Sequence, residues 1–142
     1  MKVAVVYWSS TGNTEAMAHA VVEGAKHAGA EAELFTAAEF DGGKMDEFDA
    51  VAFGCPAMGA EELEDGEFAP MFETCESKLS GKKIALFGSY GWGDGQWMRD
   101  WVERAHGDGA QVLNGEGLIC NEAPDEDVQA ACRKLGADLA AW

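Results

Sequence analysis

The stretch Tyr7-Trp8-Ser9-Ser10-Thr11-Gly12-Asn13-Thr14 joins an apolar strand to an amphipathic helix through a run of polar residues. The run contains four Ser and Thr hydroxyls, one side-chain amide and one glycine, and it has no Lys or Arg. A helix that begins near Thr14 points unpaired backbone N–H groups and the positive end of its dipole at this loop, which makes an anion site without a formal positive charge. These residue types favour a phosphate monoester as the ligand, and a polar loop with a helix N-cap is the alternative.

The two better-known phosphate loops do not fit this stretch. The Walker pattern requires a Lys after its last glycine, and the dinucleotide pattern requires three glycines where this loop has only Gly12. The loop therefore argues against a nucleoside triphosphate with its metal, and against a pyrophosphate.

Composition limits the partners and the compartment. The chain has 142 residues, enough for one domain over 1–142 that buries roughly two thirds of its unfolded surface. Its 10 Lys and Arg against 26 Asp and Glu give a formal charge of −16, which argues against nucleic acid and anionic membranes and favours basic partner proteins, or solubility alone. No apolar run is long enough to span a membrane. The four cysteines form no C-x-x-C pair, so we expect reduced thiols, no metal site and a cytoplasmic location.

Strand and helix signals alternate along the whole chain. The predicted strands cover residues 3–8, 31–35, 49–54, 82–88 and 110–120, the last interrupted at 114–117, and the first of them is almost wholly apolar and β-branched. The predicted helices cover residues 14–28, 69–79, 96–106 and 125–142, and residues 36–47 are ambiguous. Such alternation predicts a parallel sheet with right-handed crossovers and helices on both faces.

Three of the loops that follow strands have unusual sequences. In a parallel sheet these loops share one edge, where ligands bind at the point at which the strand order reverses. After the hydroxyl-rich loop comes 56–61, with Met58 expected to be exposed, and then 89–94, which sets Tyr90 and Trp92 among glycines. A flat aromatic ligand between such side chains gains about 1 kcal/mol per stacking contact beyond burial. The expected ligand therefore has a phosphate at one end and an aromatic ring at the other.

These three loops, in this order, resemble those of the flavodoxins, specifically the short-chain members from anaerobic bacteria. The resemblance spans essentially the whole chain and is carried by Tyr7-Trp8-Ser9-Ser10-Thr11-Gly12-Asn13-Thr14, Gly54-Cys55-Pro56-Ala57-Met58-Gly59 and Ala85-Leu86-Phe87-Gly88-Ser89-Tyr90-Gly91-Trp92-Gly93-Asp94-Gly95. It implies an α/β fold with a single doubly wound, five-stranded parallel sheet of order 2-1-3-4-5, helices on both faces, and FMN at the switch point; that order is the family's own and is taken from the resemblance.

The resemblance also implies a function. Flavodoxins are low-potential one-electron carriers that use non-covalent FMN and cycle between its semiquinone and hydroquinone, so we expect an electron carrier and not an enzyme, and a monomer. The alternatives are an FMN-dependent NAD(P)H:quinone reductase on the same fold, which would carry extra segments to cover a second substrate, and a passive FMN-binding protein. A receiver domain would need an Asp where Cys55 and Pro56 stand, and a low-molecular-weight phosphatase would need a Cys-to-Arg loop after the first strand.

The implied cofactor-binding residues all belong to the three loops. By resemblance the first loop holds the phosphate, Trp92 and Met58 lie on opposite faces of the flavin ring, Glu61 lies near N3, and Gly91 offers a backbone donor. The peptide between Gly59 and Ala60 would turn toward N5 on reduction. The full expected set is Ser9, Ser10, Thr11, Gly12, Asn13, Thr14, Pro56, Ala57, Met58, Gly59, Ala60, Glu61, Ser89, Tyr90, Gly91, Trp92, Gly93 and Asp94.

Two further expectations concern this ring end of the site. If the Gly59-Ala60 peptide forms a type II turn in the reduced state, Ala60 needs a positive φ, which costs alanine on the order of 1 kcal/mol and would weaken the semiquinone. Acidic residues without a nearby Lys or Arg should form a rim that disfavours an anionic reduced flavin and lowers its potential. The expected rim residues are Glu61, Glu62, Glu64, Asp65, Glu67 and Asp94.

Overall fold

A computed structural model describes all 142 residues and has the doubly wound α/β architecture that the sequence predicts. The strands are β1 (Lys2–Tyr7), β2 (Glu31–Thr36), β3 (Ala50–Gly54), β4 (Lys83–Tyr90), β5 (Gln111–Val112) and β6 (Leu118–Asn121). The helices are α1 (Asn13–His27), α2 (Phe68–Glu76), α3 (Gln96–Gly107) and α4 (Glu126–Ala141). None of these helices combines the length and apolar character that a membrane crossing requires.

The sheet has the order β2-β1-β3-β4-β5, and every pair in it is parallel. This confirms the order implied by the resemblance. The fifth strand is split, because β5 pairs with the start of β4 and β6 pairs with its end. A short 3₁₀ turn at Leu113–Gly115, with Asn114 at φ 66°, separates the two pieces at the predicted interruption.

The central strands are buried on both faces. In β1, Ala4 and Val6 face a hydrophobic cluster on one side of the sheet, whereas Val3 and Val5 face a second cluster on the other. The same alternation holds along β3 and β4. Consecutive apolar residues are therefore required in the middle of these strands, because neither face is open to water.

Helices α2 and α3 cover one face of the sheet, and α1 and α4 cover the other. Trp97 and Trp101 are 2% exposed and belong to the core, as the sequence predicts. On the opposite face α1 and α4 approach so closely that a Cβ on Gly136 would lie 2.0 Å from the Val21 carbonyl oxygen. Glycine there lets the two helices touch through their backbones.

The segment that the sequence leaves ambiguous, 36–47, forms two short 3₁₀ helices, Ala37–Glu39 and Gly42–Glu47. The first has a capping box, in which the Glu39 carboxylate accepts the Thr36 N–H at 2.8 Å. The spacing Thr36-Ala-Ala-Glu39 is the sequence signature of such a box, so this start was readable from the sequence.

We predict that Gly136→Ala lowers the free energy of unfolding by about 1–3 kcal/mol, because the new methyl group overlaps the α1 backbone. The matched control is Gly107→Ala near the end of α3, where an added Cβ meets no atom within 4 Å. That control should be neutral or stabilising by up to about 1 kcal/mol. Urea unfolding of the two variants measures both effects, and equal stabilities would contradict the packing argument.

Candidate functional site

A cavity of about 270 Å³ lies at the carboxyl edge of the sheet, where the loops after β1, β3 and β4 meet. No Lys or Arg lines it. The lining residues are Ser9, Ser10, Thr11, Asn13, Thr14, Pro56, Ala57, Met58, Ser89, Tyr90, Gly91 and Glu122. All of these except Glu122 belong to the predicted set. The other predicted residues lie in the same loops but outside the cavity wall, namely Gly12, Gly59, Ala60, Glu61, Trp92, Gly93 and Asp94.

The loop after β1 presents backbone and hydroxyl donors. Gly12 is the N-cap of α1 and has φ 94°, a backbone conformation that is strained for residues other than glycine. Its N–H donates to Ser9 Oγ at 3.1 Å. The N–H groups of Thr14 and Glu15 have no acceptor within the protein. The Ser10 hydroxyl is exposed and makes no hydrogen bond to the protein. The loop therefore offers free donors at a helix N-terminus, which is the donor set that a phosphate needs.

Ser89 joins the three loops. It is buried at 4% exposure, its N–H donates to Thr14 Oγ1 at 3.3 Å, and its carbonyl accepts from the Ala57 N–H at 3.1 Å. Its hydroxyl donates to the Glu122 carbonyl at 2.7 Å. Ser89 thus ties the first and second loops to the third through its backbone, and its hydroxyl adds the segment after β6.

Glu122 is the cavity residue that sequence reasoning missed. It follows β6 directly, has φ 63°, and its N–H donates to the Tyr90 carbonyl at 2.8 Å. The same rule that selected the other loops applies to the end of the fifth strand, so the signal was present in the sequence.

The loop after β3 closes on itself as a narrow hairpin. Met58 and Glu62 exchange two backbone hydrogen bonds of 2.9 Å each, and Met58 is half-buried rather than exposed as expected. The residues at positive φ are Gly59 (49°) and Glu61 (57°). The positive φ expected of Ala60 in a type II turn is therefore absent from this conformation.

Glu61 links the second and third loops. Its Oε1 accepts the Gln96 N–H at 3.2 Å, at the N-terminus of α3, where a carboxylate is favoured by the helix dipole. The absence of a side chain on Gly93 makes room for this contact, since a Cβ there would lie 2.5 Å from Glu61 Oε1. The Glu61 carboxylate is thus engaged by the protein itself.

The third loop carries an exposed aromatic side chain. Trp92 is 66% exposed, whereas Tyr90 is half-buried and packs against Trp97 with ring centroids 5.5 Å apart. Few large apolar side chains of the protein are exposed to this degree. An indole left in water beside a cavity is a surface that an aromatic ligand can cover.

The acidic rim is smaller than the sequence suggested. Glu64 does not belong to it, because its side chain is buried and accepts three backbone N–H groups. Burial alone would raise the pKa of Glu64, but those hydrogen bonds outweigh it and lower the pKa below its usual range. A cation is also present, since Arg99 pairs with Asp94 at 3.0 Å. Glu62 and Asp65 are exposed and have no ion-pair partner.

No group of three or more His, Cys, Asp or Glu side chains is arranged to hold a metal ion. The cavity and the loops beside it present hydroxyls, backbone N–H groups, an aromatic ring and carboxylates.

Comparison with known proteins gives one consistent result. The family model for flavodoxins matches residues 5–136. The chain is 46% identical to the flavodoxin of Megasphaera elsdenii over 137 residues, which is 94% of this chain and 95% of that one. It is 44% identical to the flavodoxin of Clostridium beijerinckii over 136 residues, covering 96% and 97% of the two chains. The solution structure of two-electron reduced M. elsdenii flavodoxin superposes with a TM-score of 0.90, at 44% identity and with 99% of both chains covered.

We predict that Ser89→Ala lowers the free energy of unfolding of the cofactor-free protein by about 1 kcal/mol, because the buried Ser89 hydroxyl no longer donates to the Glu122 carbonyl. The control is Ser80→Ala, an exposed serine whose hydroxyl makes no hydrogen bond to the protein. Denaturant unfolding compares the two variants, and a loss for Ser80→Ala equal to that for Ser89→Ala would show that the junction of the loops is not stabilising.

Proposed function

The chain belongs to the flavodoxin family, and we propose that the cavity at the carboxyl edge of its sheet holds FMN for electron transfer at low potential. Its close relatives are flavodoxins, so the chain is an electron carrier that uses FMN and not an enzyme. A quinone reductase or a passive FMN-binding protein is not favoured by this membership.

The free donors of the first loop carry the proposal. The N–H groups of Thr14 and Glu15 have no protein acceptor, and the hydroxyl of Ser10 is exposed beside them. A phosphate monoester accepts several such hydrogen bonds at once, and the dipole of α1 favours its charge. These residues therefore fit the phosphate end of FMN without any cation.

The second and third loops fit the ring end. Trp92 offers an exposed indole, and Met58 offers a half-buried, polarizable side chain from the neighbouring loop. Bound FMN accepts and releases electrons one at a time. The protein's part is to hold the ring between these side chains and to set the charge around it.

The charges around the ring favour basic redox partners. Glu62, Asp65, Glu67 and Asp94 lie in the two loops beside the cavity, and we call them the acidic rim. Of these, Asp94 is partly neutralised by Arg99. The rim carboxylates, together with the net charge of −16, attract the basic surface of a partner protein toward the exposed Trp92 side chain.

We propose that residues 1–142 act as one FMN-binding domain, supported by two hydrophobic clusters that share a single sheet. A monomer is supported by the repulsion expected between copies of charge −16. A cytoplasmic location is supported by four unpaired cysteines, which suit a reducing compartment.

The phosphate assignment predicts that FMN binds at least about 100-fold more tightly than riboflavin, which has the same ring but no phosphate, because two or more charge-assisted hydrogen bonds of about 1.5 kcal/mol each are lost. Ser10→Ala should weaken FMN binding by roughly fivefold and leave riboflavin binding unchanged. Quenching of flavin fluorescence measures all four dissociation constants.

The control for this experiment is Ser80→Ala, which removes an exposed hydroxyl on the opposite edge of the sheet. It should change neither dissociation constant. Equal affinities of the wild-type protein for FMN and riboflavin would rule out the first loop as the phosphate site.

The rim assignment predicts a change of potential. Neutralising Glu62, Asp65 and Asp94 together, as Glu62→Gln, Asp65→Asn and Asp94→Asn, should raise the more negative one-electron potential by roughly 50 mV at low salt, because three negative charges near an anionic reduced ring are removed. Potentiometric titration measures this shift. The control neutralises Glu23, Glu31 and Glu103, three exposed carboxylates far from the cavity, and an equal rise in both variants would refute a local effect of the rim.

A further inference from the structure

The loop that carries Met58 and Glu61 begins at Cys55, whose backbone is hydrogen-bonded to β4 and to α3. Cys55 follows β3 and is fully buried, its N–H donates to the Phe87 carbonyl at 3.1 Å, and its carbonyl accepts from Trp97 Nε1 at 3.1 Å. These bonds tie the start of the loop to β4 and to α3. Trp97 is thus more than a core residue, because it supports the loop through its indole N–H.

The loop returns to the same point. The Glu64 N–H donates to Cys55 Sγ at 3.4 Å, so the two ends of the segment 56–63 meet at this thiol. Burial raises the pKa of the Cys55 thiol to about 12, so the group stays a neutral, unreactive acceptor. The Met58–Glu62 hydrogen bonds then close the tip of the loop above this junction.

Glu64 fastens the junction to α2. Its Oε1 accepts the N–H groups of Glu67 and Phe68 at 2.8 Å each, and its Oε2 accepts the Gly66 N–H at 2.7 Å. Its carbonyl also accepts the Ala69 N–H at 2.8 Å. These donors are at the start of α2, so one buried carboxylate caps the helix whose residue Phe68 is anchored in the core.

We propose that Cys55 and Glu64 form a clamp that closes the 56–63 loop and thereby holds Met58, which lines the cavity, in position for the flavin. Glu64 is a positioning residue in this assignment: it sets the affinity for FMN without touching it. The inference rests on the proposed FMN site, since it explains how one wall of that site is held.

Removing a negative charge and loosening the clamp change the affinity for FMN in opposite directions. Removing any negative charge near the site reduces repulsion toward the phosphate of FMN, and so strengthens binding or leaves it unchanged. Loosening the clamp frees the loop, so that binding must order it again and becomes weaker. The direction of the change in affinity therefore separates the two effects.

The experiment compares Glu64→Gln with Glu73→Gln, an exposed glutamate on α2 that makes no hydrogen bond or ion pair. In Glu64→Gln an NH₂ group replaces one of the oxygens that accept backbone N–H groups. We expect its dissociation constant for FMN to rise about tenfold, equivalent to about 1.4 kcal/mol. For Glu73→Gln we expect no change beyond twofold.

A second readout does not depend on FMN. In the cofactor-free protein, Glu64→Gln should speed hydrogen exchange of the Met58 and Glu62 amides at least tenfold, with Glu73→Gln unchanged. A residue that only stabilised α2 would lower the melting temperature without altering the FMN dissociation constant. An affinity of Glu64→Gln within twofold of Glu73→Gln overturns the clamp.

If Glu64→Gln does not fold, Cys55→Ala decides the question, with Cys75→Ala as its control. Both cysteines are buried at 0% exposure, but Cys75 lies on α2 and contacts Met71 rather than the loop. The clamp requires weaker FMN binding in Cys55→Ala only, by at least threefold, and an equal change in both overturns it. A wild-type protein that failed to bind FMN would instead contradict the proposed function, and the exchange rates would still test the clamp.

Discussion

The burial of β1, β3 and β4 on both faces is the constraint on which the rest of the structure depends. These strands are parallel, and helices cover them on each side because the crossovers that connect parallel strands bring those helices. Every loop that follows a strand then lies at the carboxyl edge of the sheet. Four segments, after β1, β3, β4 and β6, converge there although they are distant in sequence.

Close backbone approach at the ends of β3 and β4 makes that convergence possible. A Cβ on Gly88 would lie 2.1 Å from the Cys55 carbonyl oxygen, and a Cβ on Gly54 would lie 2.2 Å from the Phe87 ring. Larger residues at either position would push the second loop away from the third. Ser89 then joins these loops to the first through Thr14, so a short run at the end of β4 organises the whole edge.

The sequence predicted what depends on periodicity and on composition, and it missed what depends on side-chain direction. Burial pattern alone placed β1, β3, β4 and the core helices, since each has one regular period over many residues. It could not show that Glu64 turns inward to cap α2, because an acidic run such as 61–67 looks equally exposed at every position. Nor could it show that Glu61 caps α3, since that contact joins two loops whose relative placement exists only in the folded protein. Residue types marked the candidate site, and tertiary packing decided which carboxylates face the solvent.

Which carboxylates face the solvent matters because the two ends of FMN have different requirements. The phosphate end needs hydrogen-bond donors, and the potential of the ring end depends on the charges around it. Backbone N–H groups and hydroxyls are short-range dipoles, so the first loop can hold a phosphate without a field that extends far beyond it. A lysine in the same place would act on a charge 10 Å away by between about 0.4 and 1.7 kcal/mol, depending on the dielectric. In a one-electron couple, where 59 mV corresponds to a tenfold change in equilibrium constant, that is a shift of roughly 20–70 mV. In the proposed assignment, a phosphate held by dipoles gives affinity at one end and leaves the potential at the other end to the acidic rim. Arg99, which follows the third loop, is consistent with this separation because Asp94 pairs with it.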